Sequence, residues 1–149
     1  MIAKKILIAD DNALVRNVLR SFLESQTRFK VCGEAVNGLD AIEKARTLRP
    51  DLIVMDLSMP VMNGIEAGSV LKAMLPQVPI VIYTAHDTSM IEPHALAVGV
   101  RAVIQKHDMA GLVGHLQQIL YSQPGRRNIN GPVPHPLRKR RVGCVKRLW

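Results

Sequence analysis

Two short apolar runs end in acid. Residues 6–9 (ILIA) lead into Asp10 and Asp11, and residues 52–55 (LIVM) lead into Asp56, after which Pro60 and Gly64 bend the chain. Two further runs end in other polar groups, 80–83 in Thr84 and 102–105 in Lys106. A carboxylate can act as nucleophile or metal ligand, and an ammonium and a hydroxyl can neutralise an anion held between them. Three carboxylates gathered in one place repel, each pair at about 4 Å costing about 4 kcal/mol at an effective dielectric near 20. A cation must offset this. A few hard oxygen ligands suit Mg²⁺, which keeps several waters and favours a site completed by a phosphate. On this chemistry Asp56 is the nucleophile that takes a phosphoryl group, and Asp10 and Asp11 supply the metal. Lys106 and Thr84 hold the phosphoryl oxygens from the other side.

Singly, each residue has a simpler role. A strand-terminal Asp turns or caps the chain, paired aspartates cap a helix, a threonine satisfies nearby backbone and a lysine sits in solvent. The chemistry therefore depends on elements that bring all five to one place. Apolar runs at 5–9, 29–35, 52–56, 80–84 and 102–106 predict five strands. Helical periodicity fills 12–26, 38–48, 64–75 and 108–120, the last with Asp108 as its N-cap. In the first helix Leu14, Val15, Val18, Leu19, Phe22 and Leu23 recur at three- and four-residue spacing, with Arg16, Asn17, Arg20 and Glu24 on the opposite face. The fourth helix, in DTSMIEPHALAVG, either starts at Glu92 or kinks at Pro93, and the expected form is a short helix with Pro93 in its first turn.

Strands this apolar are covered on both faces, and helical crossovers favour parallel pairing with right-handed connections. The fold class is therefore α/β, a doubly wound five-stranded parallel sheet with five helices. In such sheets the ligand crevice opens at the carboxyl ends of the strands, where Asp10, Asp11, Asp56, Thr84 and Lys106 all stand.

The chain of 149 residues, 48% hydrophobic, suits one domain with an appendage, expected as a domain at 1–122 and a tail at 123–149. The net charge of +8 suggests nucleic acid until its position is examined: residues 126–149 hold eight Lys and Arg and no Asp or Glu, and the rest balances. Pro124, Pro132, Pro134 and Pro136 and the lack of any period make the tail a disordered segment by composition. Cys32 lies in an apolar run as a small core residue, while Cys144 in the tail is a candidate reactive thiol. The apolar stretch at 6–9 is too short for a signal segment and no stretch approaches a membrane span, so the expected place is the cytoplasm without a membrane partner.

ILIADDN, DLIVMDLSMPVMNG, VIYTAHD and GVRAVIQK stand in the order found in receiver domains of two-component response regulators, and residues 4–122 resemble that family. The resemblance, not the spacing, implies the flavodoxin-like strand order 2-1-3-4-5. It implies that Asp56 accepts a phosphoryl group from the phosphohistidine of a sensor histidine kinase or phosphotransfer protein. Mg²⁺ would be held by Asp11, Asp56, the Ser58 carbonyl and, directly or through water, Asp10. Lys106 would pair with the phosphoryl oxygens, Thr84 would move toward them, and small Ala85 would leave access. The fourth helix, fifth strand and fifth helix would then change their contacts with a downstream protein, an output domain or a second copy in a phosphorylation-linked homodimer. Such a protein is not an enzyme in the turnover sense; it assists its own phosphorylation and dephosphorylation.

Three departures from the family pattern stand out. Val103 occupies the position of the usual switch Tyr or Phe, and His107 replaces the proline that usually follows the lysine and its cis peptide. QKHDM is closer to receivers joined to a helix-turn-helix, yet the proline-rich residues that follow are not expected to form one. Ser58 and His86, each two residues beyond a site residue, flank the path of an attacking water and are candidates for setting the lifetime of the acyl phosphate. The alternative to signalling by protein contact is a DNA-binding regulator, or a truncated form of one, whose tail at 126–147 grips nucleic-acid phosphates without reading sequence. Two other classes fit less well. An aspartyl-phosphate phosphatase wants a second acid where Ser58 stands. A flavin binder wants a phosphate loop where ADDNA carries acids.

Overall fold

The computed structural model describes residues 2–26 and 28–121. The tail at 123–149, with Cys144 and the basic run, lies outside the described residues. Strands β1 (Lys4–Ala9), β2 (Phe29–Ala35), β3 (Leu52–Met55), β4 (Ile80–Thr84) and β5 (Ala102–Gln105) alternate with helices α1 (Ala13–Glu24), α2 (Gly38–Leu48), α3 (Gly64–Met74), α4 (Thr88–Ala97) and α5 (Met109–Tyr121). All pairings are parallel, in the order β2-β1-β3-β4-β5. The β1–β2 register slips between Ile6 and Leu7, where Cys32 is the extra residue of a bulge.

Two apolar layers sandwich the sheet. Leu7, Ile53, Met55 and Ile82 face Ala41, Ala45, Ala67, Leu71 and Ala95 of α2, α3 and α4. Ile6, Ile8, Val54 and Tyr83 face Leu19, Leu23, Leu112 and Leu116 of α1 and α5. Alternate residues of each strand thus serve opposite layers, which is why the strands read as unbroken apolar runs. Cys32 is half-buried against the first layer, and burial raises its thiol above the ordinary value.

Two expectations change. The fourth helix begins at Thr88, four residues before Glu92, with Asp87 as its cap: the Asp87 carboxylate accepts the Ser89 N–H at 2.9 Å. Pro93 therefore lies inside the helix and leaves the Ser89 carbonyl without its partner one turn on. Both residues are exposed, so solvent can take that carbonyl. The second change is in α1, where Leu19 and Leu23 are buried but Leu14 is 70% and Val18 50% exposed. The apolar stripe is wider than the surface the sheet offers it.

The supposed outer face of α1 is also partly engaged. Arg16 Nε and Arg20 Nε donate to the two oxygens of Glu34 at 3.0 and 2.7 Å, tying the helix to the end of β2. Burial would raise the Glu34 carboxyl, but the hydrogen bonds and charges of Arg20 and Arg16 outweigh it and hold the group below its ordinary 4.5. A depressed carboxyl stabilises the fold above its unfolded value and loses that contribution as the pH falls through the folded value. Glu34→Gln is therefore expected to lower stability by about 1 kcal/mol at neutral pH. In denaturant titrations across pH, the difference from wild type should shrink as the pH drops below 4.5.

Candidate functional site

Four of the five strands, β1, β3, β4 and β5, deliver polar groups to the carboxyl edge, and β1 delivers two, Asp10 and Asp11. The Asp10 N–H donates to the Ala35 carbonyl and the Asp56 N–H to the Ala9 carbonyl, so both aspartates continue the ladder just beyond their strands. The Lys106 N–H donates to the Thr84 carbonyl and fixes the lysine in the same way. Asp10 (3% exposed), Asp56 (7%) and Thr84 (0%) are the buried polar residues among those described. Asp11, at the rim, is exposed, and one oxygen from each of Asp10, Asp11 and Asp56 lies within 4.8 Å of the others.

Lys106 spans the two buried acids. Its Nζ donates to Asp10 Oδ2 at 2.7 Å and lies 3.3 Å from Asp56 Oδ2. The remaining oxygens take backbone donors: Asp10 Oδ1 accepts from Asn12 N–H and Asp56 Oδ1 from Leu57 N–H, both at 2.8 Å. Burial raises the Asp56 carboxyl above its ordinary 3.8; Lys106 opposes the rise and the charge of Asp10 adds to it. Burial would lower the Lys106 ammonium, but the hydrogen bond to Asp10 and the charges of both acids carry it above 10.5. The lysine therefore stays charged, with its shorter contact to Asp10, and one cation compensates two carboxylates incompletely. The cluster is all hard oxygen, open at Asp11, and fits a divalent cation.

The other expected residues flank this centre. Thr84 Oγ1 accepts the His86 N–H at 3.1 Å, and its own hydrogen remains free to donate. Ser58 Oγ and His86 Nε2 are 2.8 Å apart, joining the loop after β3 to the loop after β4. Ala85 is exposed beside them. Val103 is not part of the cluster; it pairs with Ile82 in the sheet and packs half-buried against the layer under α4. His107 is exposed, and no cis peptide bond occurs among the described residues.

Sequence reasoning missed the residues that hold this frame. Arg16 Nη1 donates to the Asp10 carbonyl at 2.8 Å while its Nε grips Glu34, so a residue assigned to solvent fixes the backbone beneath a site carboxylate. Tyr83 donates its hydroxyl to the Lys106 carbonyl at 2.6 Å. Neither bond is marked by residue type or spacing: Arg16 reaches back across the β1–α1 junction to a backbone carbonyl, and the partner of Tyr83 lies beyond α4 and β5. Gly64 had a visible signal in the NG pair that opens α3: Asn63 and Glu66 form a capping box there, and the Gly64 N–H donates to the Leu57 carbonyl. A Cβ at Gly64 would come within 2.3 Å of the Asp56 carbonyl oxygen. Just before it, Val61 takes φ 69° with the Met62 N–H donating to the Pro60 carbonyl, a strained γ-turn for a β-branched residue.

A parallel sheet of this order with two buried carboxylates and a facing lysine at its carboxyl edge defines the receiver class of phosphorylation-dependent regulators. The family model for the response regulator receiver domain matches residues 6–117, and the chain belongs to that family. Response regulator protein VraR of Staphylococcus epidermidis is 42% identical over 104 residues, 70% of this chain and 50% of that protein. Protein-glutamate methylesterase/protein-glutamine glutaminase of Idiomarina loihiensis is 39% identical over 104 residues, 68% of this chain and 27% of that protein. The chain thus spans half or less of the length of these curated relatives. The response regulator domain of Thermotoga maritima CheB aligns with TM-score 0.75 at 30% identity, covering 82% of this chain and 99% of that one. A LuxR-family two-component response regulator from Aurantimonas aligns with TM-score 0.77 at 30% identity, covering 94% and 99%. No described helix is long and apolar enough to cross a membrane.

Because a side chain at residue 64 must displace the backbone of Asp56 itself, Gly64→Ala is expected to cost about 1–3 kcal/mol. Thermal unfolding measures the loss, and amide shifts around Asp56 and Leu57 should move more than those of the α5 core.

Proposed function

We propose that this receiver domain takes a phosphoryl group onto Asp56 from the phosphohistidine of a sensor kinase or phosphotransfer protein. The observation that supports it most is the convergence of Asp10, Asp11 and Asp56 with Lys106, in which Asp56 keeps one oxygen on Leu57 N–H and the other toward the lysine. An Asp56 oxygen attacks phosphorus, the P–N bond breaks, and the imidazole leaves with the electron pair of that bond. Lys106 neutralises phosphoryl charge, and Thr84 donates its free hydrogen to a phosphoryl oxygen.

Asp10, Asp11, Asp56 and the Ser58 carbonyl are the groups that would hold Mg²⁺. Once bound, the ion supplies charge neutralisation for the transfer and relieves the carboxylate repulsion that Lys106 leaves. Ala85, exposed and small, keeps the approach to Asp56 open. The Ser58–His86 hydrogen bond lies across the approach of a hydrolytic water and sets the lifetime of the acyl phosphate.

The response passes to the face made by α4, β5 and α5. Helix α4 buries Ala95 alone among its residues and exposes Met90 and Leu96, so little packing opposes its displacement. With Val103 on β5 in place of an aromatic ring, the link from Thr84 runs through its bond to His86 and the loop leading into α4. Downstream contacts, with another protein, an output domain or a second copy, then change with the population of the phosphorylated conformation. The protein works in the cytoplasm as a phosphoacceptor, and its rates are its own only in assisting transfer and hydrolysis.

Incubation with radiolabelled acetyl phosphate and Mg²⁺ is expected to label the wild type. Asp56→Asn should lose the label, and Lys106→Ala should lower it at least tenfold; chelation of the metal should abolish it. Beryllofluoride with Mg²⁺ should shift the amides of α4 and β5. Undiminished labelling of Asp56→Asn would sink this reading.

A further inference from the structure

Two of the three cluster carboxylates leave the chain from either side of a single peptide unit. The Asp10 carbonyl and the Asp11 N–H share one plane with both Cα atoms, so the orientation of that plane sets where both side chains start. The Asp10 carboxylate is also held directly, by Lys106 Nζ at 2.7 Å and by the Asn12 N–H at 2.8 Å. Asp11 has no such support: it is exposed, and among the described residues its carboxylate takes no hydrogen bond or ion pair. Its direction therefore depends on the backbone it leaves from.

That backbone is fixed by a side chain outside the cluster. The Asp10 N–H still finds the Ala35 carbonyl at 3.0 Å, but β2 ends at Ala35 and the Val36 N–H beyond it turns to Asp40. Arg16 Nη1 takes the Asp10 carbonyl instead, at 2.8 Å. The other end of the same guanidinium is anchored on β2, with Nε donating to Glu34 Oε1 at 3.0 Å, while Glu34 Oε2 takes Arg20 Nε at 2.7 Å. One planar group thus spans β2 and the Asp10–Asp11 peptide, a two-ended grip that the single ammonium of a lysine does not reproduce. Among the described residues Arg16 pairs with none of the cluster carboxylates, so its hold on the site runs through the backbone alone.

We propose that Arg16, anchored by Glu34, is a positioning residue for the divalent-cation site: by holding the Asp10 carbonyl it keeps the unsupported Asp11 carboxylate turned toward Asp10 and Asp56. This rests on the reading of Asp10, Asp11 and Asp56 as the groups that hold Mg²⁺. Simple electrostatics predicts the opposite sign of effect. A guanidinium near a cation site repels the cation, so charge alone would make binding tighter when Arg16 is removed. Positioning makes it weaker, because loss of a partner that orients a metal ligand costs about tenfold or more in affinity. Arg20 offers the comparison within the molecule: it grips the same Glu34 and pairs with Glu24 at 3.7 Å, but makes no contact with Asp10.

The test is a Mg²⁺ titration of the full chain by isothermal calorimetry, without phosphodonor, with thermal unfolding run on each variant. Arg16→Gln is expected to raise the Kd for Mg²⁺ about tenfold, and Arg16→Lys, which keeps the charge, to raise it nearly as much. Arg20→Gln loses a comparable hold on Glu34 and should lower the Tm as Arg16→Gln does, yet bind Mg²⁺ as wild type does. In acetyl phosphate labelling the half-saturating Mg²⁺ concentration should rise for the Arg16 variants by the same factor as the Kd. Should Arg16→Gln not fold, Arg16→Lys carries the same comparison. The proposal is overturned if Arg16→Gln binds Mg²⁺ as tightly as wild type or tighter, if Arg16→Lys keeps wild-type affinity, or if Arg20→Gln weakens binding as much as Arg16→Gln. In those cases wild type still binds the ion and takes the label, so the reading of the pocket survives; a wild type that does neither overturns both.

Discussion

Two buried carboxylates share one ammonium at the carboxyl edge of this sheet, and much of the architecture around them answers that arrangement. Asp10 and Asp56 come from adjacent strands, so the parallel ladder that stabilises the core also forces like charges together. At the 4.8 Å spread of the acidic cluster, one pair costs about 3–4 kcal/mol with an effective dielectric of 20. Lys106 relieves this by reaching across from β5, and it can do so only because β5 lies on the same edge of the same parallel sheet. What repulsion remains suits the cluster to a divalent cation.

A frame with this strain needs its backbone held. Asp10 is pinned from below by Arg16, Lys106 by Tyr83, and Asp56 by the turn in which Gly64 approaches its carbonyl. Arg16 matters twice, since the guanidinium that supports Asp10 also clamps α1 to β2 through Glu34. The rigid side of the molecule is thus the side of α1 and the first strands. The opposite side is looser: α4 buries one residue, carries a proline within its length and connects to the site through Thr84 and His86. Rigidity where charge must be positioned and weak packing where a surface must move are what a phosphorylation switch requires.

The charge arrangement extends the same logic to the whole domain. A domain with no net charge is not electrically featureless: Asp10, Asp11, Asp56, Asp87 and Asp108 gather at the carboxyl edge around Lys106, while Lys4, Lys5, Lys72 and Arg101 stand toward the amino edge. The acids Asp10, Asp11 and Asp56 form an oxygen-rich cluster, while Lys5 meets the last carbonyl of α2 and Lys72 the Pro76 carbonyl just beyond α3.

Strand positions, four of the five helices and the placement of Asp10, Asp11, Asp56, Thr84 and Lys106 at one edge of the sheet were legible in the linear chain, because apolar periodicity and strand-end polarity are local properties. The helix caps at Asn12, Asn63 and Asp108 were readable or nearly so for the same reason. Contacts set by how the elements are stacked were not: the bond from Arg16 back to the Asp10 carbonyl depends on how α1 packs beside β1, and the Tyr83–Lys106 and Ser58–His86 bonds join segments far apart in sequence. The early start of α4 is not legible in the sequence, because a proline inside a helix deprives a carbonyl of its partner and only the packing decides that this carbonyl, on exposed Ser89, faces water. Leu14 and Val18 misled in the opposite way, since periodicity tells which side of a helix is apolar but not how much of that side a neighbouring sheet has room to cover. Local physics set the elements and their chemistry; only tertiary packing decided which charges meet and which apolar surface stays exposed.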